Sequence, residues 1–95
     1  MPVLSAFCLI DAEPSRIAAL AEELADTDGV AEVYSVAGES ADLVVVVRVR
    51  NHEDLAEVIT KRVVCKEGIR STRTLVAFRA HSRHDLDAMW DLGSG

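Results

Sequence analysis

Residues 43–49 read Leu-Val-Val-Val-Val-Arg-Val and carry the strongest indication of the fold of this chain. Its β-branched side chains favour a strand, and its apolar residues stand at adjacent positions instead of alternating with polar ones. A strand with this pattern needs cover on both faces over most of its length. Residues 43–49 are therefore predicted to form a central strand, the third of the sheet, and the flanking segments must supply its neighbours and its cover.

The segment before the central strand predicts a strand, a helix and a second strand. Residues 3–10 form a short apolar run, which fits a buried strand better than a helix. Pro14 suits the first turn of a helix, and Asp28-Gly29 ends that helix. Residues 30–36 then alternate as a second strand. The helix carries apolar residues at the spacing i, i+3, i+4, i+7, namely Ile17, Leu20, Ala21 and Leu24.

The segment after the central strand repeats this order. Asn51 is a good N-cap for a second helix, which ends before Gly68. Residues 69–80 alternate with period two and predict a fourth strand. Residues 81–92 predict a short C-terminal helix. The apolar stripe of the second helix is Leu55, Val58, Ile59 and Val63, and the C-terminal helix carries Leu86, Met89 and Trp90.

Two βαβ halves in this order predict an α+β fold. It is the ferredoxin-like βαββαβ sandwich of the dimeric α/β-barrel type, with strand order 4-1-3-2 and both helices on one face. The chain is expected to form a single domain over residues 1–95. Two helices cover only one face of the sheet, yet residues 43–49 are apolar on both faces. The other face is therefore expected to pack against a second copy of the chain.

Composition and charge narrow the class of protein. The chain has 16 acidic and 10 basic residues and a net charge of −6, which opposes binding to nucleic acid. No apolar stretch is long enough for a membrane span, and the first residues carry no signal-peptide pattern. Cys8 and Cys65 lie far apart, as expected for reduced thiols. These features predict a soluble cytoplasmic domain that contacts neither DNA nor membranes.

Two polar segments are candidates for binding a small molecule. The turn Gly38-Glu39-Ser40-Ala41-Asp42 joins strands two and three and combines a permissive glycine with two carboxylates and a hydroxyl. Such a turn can hold a small zwitterion, although a solvated hairpin explains the same residues. On strand four, Ser71, Thr72 and Thr74 stand beside Arg70 and Arg73, which could orient a carboxylate. The alternative is that these are threonines favoured by a strand, with arginines on an exposed face.

No metal, cofactor or catalytic residue is predicted. His81 and His84 with Asp85 and Asp87 have metal-ligand types at helical spacing. A solvated helix start, with Ser82 as its N-cap, explains them better because no third strong ligand has a recognisable spacing. The sequence also has no Gly-rich phosphate loop, no nucleophile elbow and no Cys/His pair at catalytic spacing.

The order and spacing of several short motifs resemble a known family. These motifs are Gly29-Val30, the turn at residues 38–42 before an apolar strand, Gly68-Ile69, and Thr72-Arg73-Thr74-Leu75. Over residues 3 to about 80 the chain resembles the effector-binding domain of the Lrp/AsnC transcription regulators, also called the RAM domain. The resemblance implies a βαββαβ fold that dimerises through its sheets and assembles further. It also implies that amino acids bind between subunits, near the turn between strands two and three.

The resemblance carries over to individual residues. Gly38, Glu39 and Asp42 match the family's turn, which implies that Asp42 pairs with the ammonium group of the effector. Thr72 and Thr74 match hydroxyl positions of strand four that face the same pocket, and Ser40 is expected to assist. The turn of this chain is one residue longer than the family's usual Gly-Glu-Tyr-Asp type and lacks its aromatic residue.

The expected function is that of a non-enzymatic, amino-acid-binding regulatory domain that forms a homodimer and a higher oligomer, with an octamer as the expected size. No helix-turn-helix pattern is found, so we expect a stand-alone sensor, with full-length Lrp/AsnC regulators as possible partners. One alternative is a small dimeric enzyme of the cofactor-free monooxygenase type. The candidates for its catalytic residues are few, namely Tyr34, Trp90 and the three histidines. Another alternative is an oligomerising domain that binds no ligand.

Overall fold

The computed structural model describes residues 3–81 and residue 83. These residues form a four-stranded antiparallel sheet in the order β2-β3-β1-β4, which confirms the predicted fold and strand order. No helix in this part of the chain is long and apolar enough to cross a membrane. The strands are β1 (Leu4–Ala12), β2 (Val30–Ser35), β3 (Leu43–Val49) and β4 (Ile69–Val76).

Both predicted helices are present, and each contains a turn that is not α-helical. A 3-10 turn at Pro14–Arg16 leads into α1 (Ile17–Ala25). Helix α2 (His52–Glu57) begins where predicted, because the Asn51 side chain accepts a hydrogen bond of 2.8 Å from the Asp54 N–H. A π-helical segment at Val58–Val63 continues α2.

The strand ends differ from the sequence prediction because they depend on pairing partners. Strand β1 runs to Ala12, two residues beyond the predicted end, since Asp11 and Ala12 pair with β4 across an irregularity in register. Strand β4 ends at Val76, short of residue 80. Strand β2 likewise ends at Ser35, one residue earlier than predicted. The C-terminal helix predicted over residues 81–92, with His84, Asp85 and Asp87, falls almost entirely outside the described residues.

The core lies between the helices and one face of the sheet. Alternate residues of β1 and β3 point into it, and the two helices close it with leucine and valine side chains. Burying one such side chain contributes about 1.5–3 kcal/mol, so this layer supplies most of the cohesion of so small a domain. Its members on the sheet are Ala6, Cys8, Ile10, Ala12, Leu43, Val45 and Val47, and on the helical segments Leu20, Leu24, Leu55, Val58 and Val63.

Two glycine turns join the halves of the domain in a similar way. Gly29 follows α1 with φ of +94°, and a Cβ there would meet Val58 at 2.5 Å. Gly68 follows the second helical segment with φ of +98°, and a Cβ there would meet Arg16 at 2.8 Å. Each turn therefore needs glycine both for its backbone conformation and for the close approach of the other half's helix.

Candidate functional site

The face of the sheet opposite the helices carries a row of apolar side chains that no helix of the described chain covers, although neighbours on this face leave Val46 only 4% exposed. Cross-strand pairs on this face are Phe7 with Val46, Phe7 with Leu75, and Leu9 with Val44. Phe7 is 39% exposed and Leu75 is 59% exposed. Strand β3 is thus apolar on both faces, as its sequence indicated. We call Phe7, Leu9, Val44, Val46 and Leu75 the open-face strip.

A cluster of three polar side chains borders the open-face strip along β2 and β3. Glu32 and Tyr34 lie opposite Val46 and Val44 in the register, and so on the same face. The Arg48 guanidinium is 3.1 Å from a Glu32 carboxylate oxygen, and the Tyr34 hydroxyl donates to the other. The hydroxyl holds the pKa of Glu32 below its ordinary value, and the same bond raises the pKa of Tyr34. Glu32 is therefore a stable carboxylate at neutral pH.

The turn between β2 and β3 is tied to β1 through Asp42. The Asp42 N–H donates to the Ile10 carbonyl at 2.8 Å, and the Asp42 carbonyl accepts from the Val36 N–H at 3.0 Å. Its carboxylate oxygen Oδ2 accepts from the Ala12 N–H at 2.9 Å, beside the register irregularity of β1. Asp42 is half-buried and fixes the turn with both its backbone and its side chain.

Arg73 ties the same turn to β4. Its Nη2 donates to the Ser40 carbonyl at 2.8 Å. Arg73 lies opposite Leu9 in the register, so it belongs to the open face of the sheet. The contact with Ser40 uses one of the five N–H donors of the guanidinium. Next to it, the Ser71 hydroxyl donates to Asp11 at 2.9 Å.

The structure places Thr72 and Thr74 on the other face of β4. They lie opposite Ile10 and Cys8, whose side chains point into the core. The Thr74 hydroxyl is 3.7 Å from the Cys8 sulfur. Burial raises the pKa of the Cys8 thiol, which stays protonated at neutral pH. Within one chain, these two threonines are therefore not brought together with the turn that carries Asp42.

Gly38 and Glu39 are exposed at the tip of the turn. A Cβ at Gly38 would have nothing within 4 Å, and its φ is not positive, so the turn itself does not demand glycine there. The predicted set therefore divides into a turn, with Gly38, Glu39, Ser40 and Asp42, and a pair of threonines across the sheet. The residue that joins the turn from β4 is Arg73. Its position on the face opposite the threonines is visible in the alternation of the sequence, but its contact with Ser40 is not.

A four-stranded antiparallel sheet with two helices on one face and an apolar strip on the other is the ferredoxin-like RAM fold. A sequence model of the Lrp/AsnC ligand binding domain matches residues 5–86, and the chain belongs to this family. No curated protein sequence matches the chain significantly.

Three solved structures illustrate the likeness. The protein TTHA0845 from Thermus thermophilus is 45% identical, with a TM-score of 0.77, and 84% of this chain covers 99% of it. Hypothetical protein PHS023 from Pyrococcus horikoshii is 31% identical, with a TM-score of 0.74, and 85% of this chain covers 96% of it. The transcriptional regulator NMB0573 from Neisseria meningitidis, solved as an L-Met complex, shares the fold at 12% identity and a TM-score of 0.71. That match takes in 84% of this chain and 54% of the regulator.

Proposed function

We propose that this domain is a non-enzymatic sensor that binds a free amino acid at the turn of residues 38–42 and self-associates through the open-face strip. The observation that carries the proposal is the contact of the Arg73 guanidinium with the Ser40 carbonyl. This contact holds a fixed cation beside a turn with two carboxylates, Glu39 and Asp42. A free amino acid carries one charge of each sign, so the two sides of the turn fit its two ends.

Each group of the turn has a distinct role in this proposal. Arg73 orients the carboxylate of the amino acid. Glu39 and the second oxygen of Asp42 accept hydrogen bonds from its ammonium group, and the backbone at Gly38 and Ser40 lines the approach. The Neisseria relative was solved with L-Met, which supports an amino acid as the class of ligand.

Thr72 and Thr74 enter the site in this proposal through a neighbouring copy. They face away from the turn of their own chain, but both lie on β4, at the edge of the sheet. A second chain packed beside that edge would bring its turn within reach of the hydroxyls. An amino acid bound there would contact two chains, and it would favour the assembly that it binds more tightly.

Self-association follows from the open-face strip. A second copy that presents the same face would cover Phe7 and Leu75 on both chains, because a twofold interface uses one surface twice. We propose a homodimer of this kind as the unit of a higher oligomer, with eight chains as the expected size. Full-length Lrp/AsnC regulators could join the assembly through the same surface. The two free thiols, Cys8 and Cys65, fit a reducing compartment, and we place the protein in the cytoplasm.

The ligand is tested by thermal unfolding of the protein against each proteinogenic amino acid at millimolar concentration. A ligand at about 100 times its dissociation constant adds roughly 2.7 kcal/mol, or about 10 °C or more in a domain of this size. Glu39→Ala is expected to reduce the shift, whereas Glu53→Ala, an exposed glutamate on α2, is the matched control and leaves it unchanged. If no amino acid raises the midpoint, the domain is an oligomeriser without a ligand of this class.

The interface is tested by sedimentation over a range of protein concentrations. Phe7→Asp is expected to convert the assembly to monomers. Val64→Asp is the matched control, since Val64 is also 39% exposed but belongs to the helical side of the domain. A wild-type protein that is monomeric at every concentration would contradict self-association. An assembly that survives Phe7→Asp would place the interface elsewhere.

We prefer a regulatory role to the enzyme alternative. In the described residues, the side chains buried between the helices and the sheet are apolar and include the Cys8 thiol. Tyr34, one of the residues considered for catalysis, lies on the open face with its hydroxyl bonded to Glu32. The Lrp/AsnC family is one of regulatory ligand-binding domains, in line with a non-enzymatic role.

A further inference from the structure

A second apolar surface lies at the end of the sheet where β1 begins and β4 ends. Val76 is 51% exposed and Phe78 is 106% exposed. The Ala77 N–H donates to the Ser5 carbonyl at 2.9 Å, which brings the end of β4 beside the start of β1. We call Val76 and Phe78 the corner patch.

The corner patch is distinct from the open-face strip. Val76 pairs with Ala6, which is fully buried and points towards the helices, so Val76 also lies on the helical side of the sheet. A twofold pairing of open faces would not cover it. A fully exposed phenylalanine two residues after a half-exposed valine is unusual for a surface that meets solvent alone, and this points to a further contact.

The sequence that follows β4 offers an apolar segment close to this patch. Residues 84–92 read His-Asp-Leu-Asp-Ala-Met-Trp-Asp-Leu and lie outside the described residues. Leu86, Met89 and Trp90 have the spacing i, i+3, i+4 of one helix face. Residues 87–95 also lie beyond the family match, which ends at residue 86. The match to the Thermus relative takes in 99% of that protein but only 84% of this chain. Residues 87–92 of the segment, with Met89 and Trp90, therefore extend beyond the family match.

We propose that residues 84–92 fold back on their own chain and cover the corner patch with Leu86, Met89 and Trp90. Seven residues separate Phe78 from Leu86, and this tether spans up to about 26 Å when extended. A short tether gives an effective concentration in the millimolar range, which favours the chain's own segment over a second copy at ordinary protein concentrations.

Charge supports the same placement. Arg50 follows the end of β3, which pairs with the start of β1 at Leu4, and Arg79 follows Phe78. Both arginines are exposed beside the patch. The segment carries three acidic residues, Asp85, Asp87 and Asp91, so its approach is electrostatically favoured. Docking does not require an amino acid effector.

The experiment uses Trp90, the single tryptophan of the chain, as the reporter. In the native chain of residues 1–95, we expect blue-shifted Trp90 emission and weak quenching by acrylamide. The double variant Val76→Asp/Phe78→Asp is expected to shift the emission to that of the chain in urea, while circular dichroism shows that the domain remains folded. Val36→Asp is the matched control, because Val36 is 40% exposed near the opposite end of the sheet. Native emission equal to that of the unfolded chain, or unchanged in the double variant, would overturn the proposal.

A mixing experiment separates docking on the same chain from docking on another copy. The double variant keeps Trp90 but has a damaged patch, whereas Trp90→Phe keeps an intact patch and has no tryptophan. The two chains are unfolded together and refolded as a mixture. Docking within one chain predicts that Trp90 stays exposed in the mixture. Recovery of blue-shifted emission would show that the segment docks on a neighbouring chain, and it would overturn the proposal as stated.

Discussion

Replacing Asp42 with alanine is expected to destabilise the domain even in the absence of any effector. The Asp42 carboxylate accepts a hydrogen bond of 2.9 Å from the Ala12 N–H, and Ala12 is only 2% exposed. A hydrogen bond to a charged group contributes about 1.5–3 kcal/mol, and its loss leaves a backbone N–H without a partner in a place with little access to water. We expect the free energy of unfolding to fall by about 2 kcal/mol, which lowers the thermal midpoint by roughly 8–16 °C.

The variant Asp42→Asn separates this structural role from a role in binding. Asparagine keeps a side-chain oxygen that can accept from the Ala12 N–H, so its cost is expected to be about 1 kcal/mol. It removes the negative charge, so it should still weaken the response to an amino acid. A loss of response in Asp42→Ala alone would not show which role was lost.

The assay is urea unfolding followed by circular dichroism at one fixed protein concentration. The midpoints should fall in the order wild type, Asp42→Asn, Asp42→Ala, with similar slopes, because the native and unfolded states remain the same. An unchanged midpoint in Asp42→Ala would refute the assignment of Asp42 as the residue that fixes the turn.

Three further predictions concern other parts of the domain. Gly68→Ala should cost about 1–2 kcal/mol or more in urea unfolding, because φ is +98° and the new Cβ would lie 2.8 Å from the Arg16 Cβ; an unchanged midpoint would contradict this. A thiol reagent should modify the exposed Cys65 in the native protein and reach Cys8, which is buried and has a raised pKa, only after unfolding; equal reactivity in the native state would show that the core opens. The pKa of Glu32 is lowered in the folded state, so its contribution is present above the unfolded value of about 4.3 and is lost as the pH falls through the folded value. The wild type should therefore be more stable than Glu32→Gln at pH 7, and the difference should disappear in acid.

The candidate site was only partly predictable from sequence. The turn at residues 38–42 stands out because a glycine, two carboxylates and a hydroxyl interrupt two apolar strands. The alternation of β4 separates Thr72 and Thr74 from Arg73, and the structure confirms that separation. Alternation does not say which of the two faces meets the turn. The resemblance to a family placed the threonines beside it, whereas within one chain the contact to Ser40 comes from Arg73.

The secondary structure elements, their order and the class of fold follow from the amino-acid sequence alone, because these depend on local spacing. Residues 43–49 require cover on both faces, and the helices on either side have room on only one of them. Three features required the folded chain to be seen: β1 continues to Ala12, Asp42 fixes this end of β1, and Val76 belongs to the helical side while Leu75 belongs to the open face. These features depend on strand register, which is set by hydrogen bonds and core packing between residues far apart in the chain.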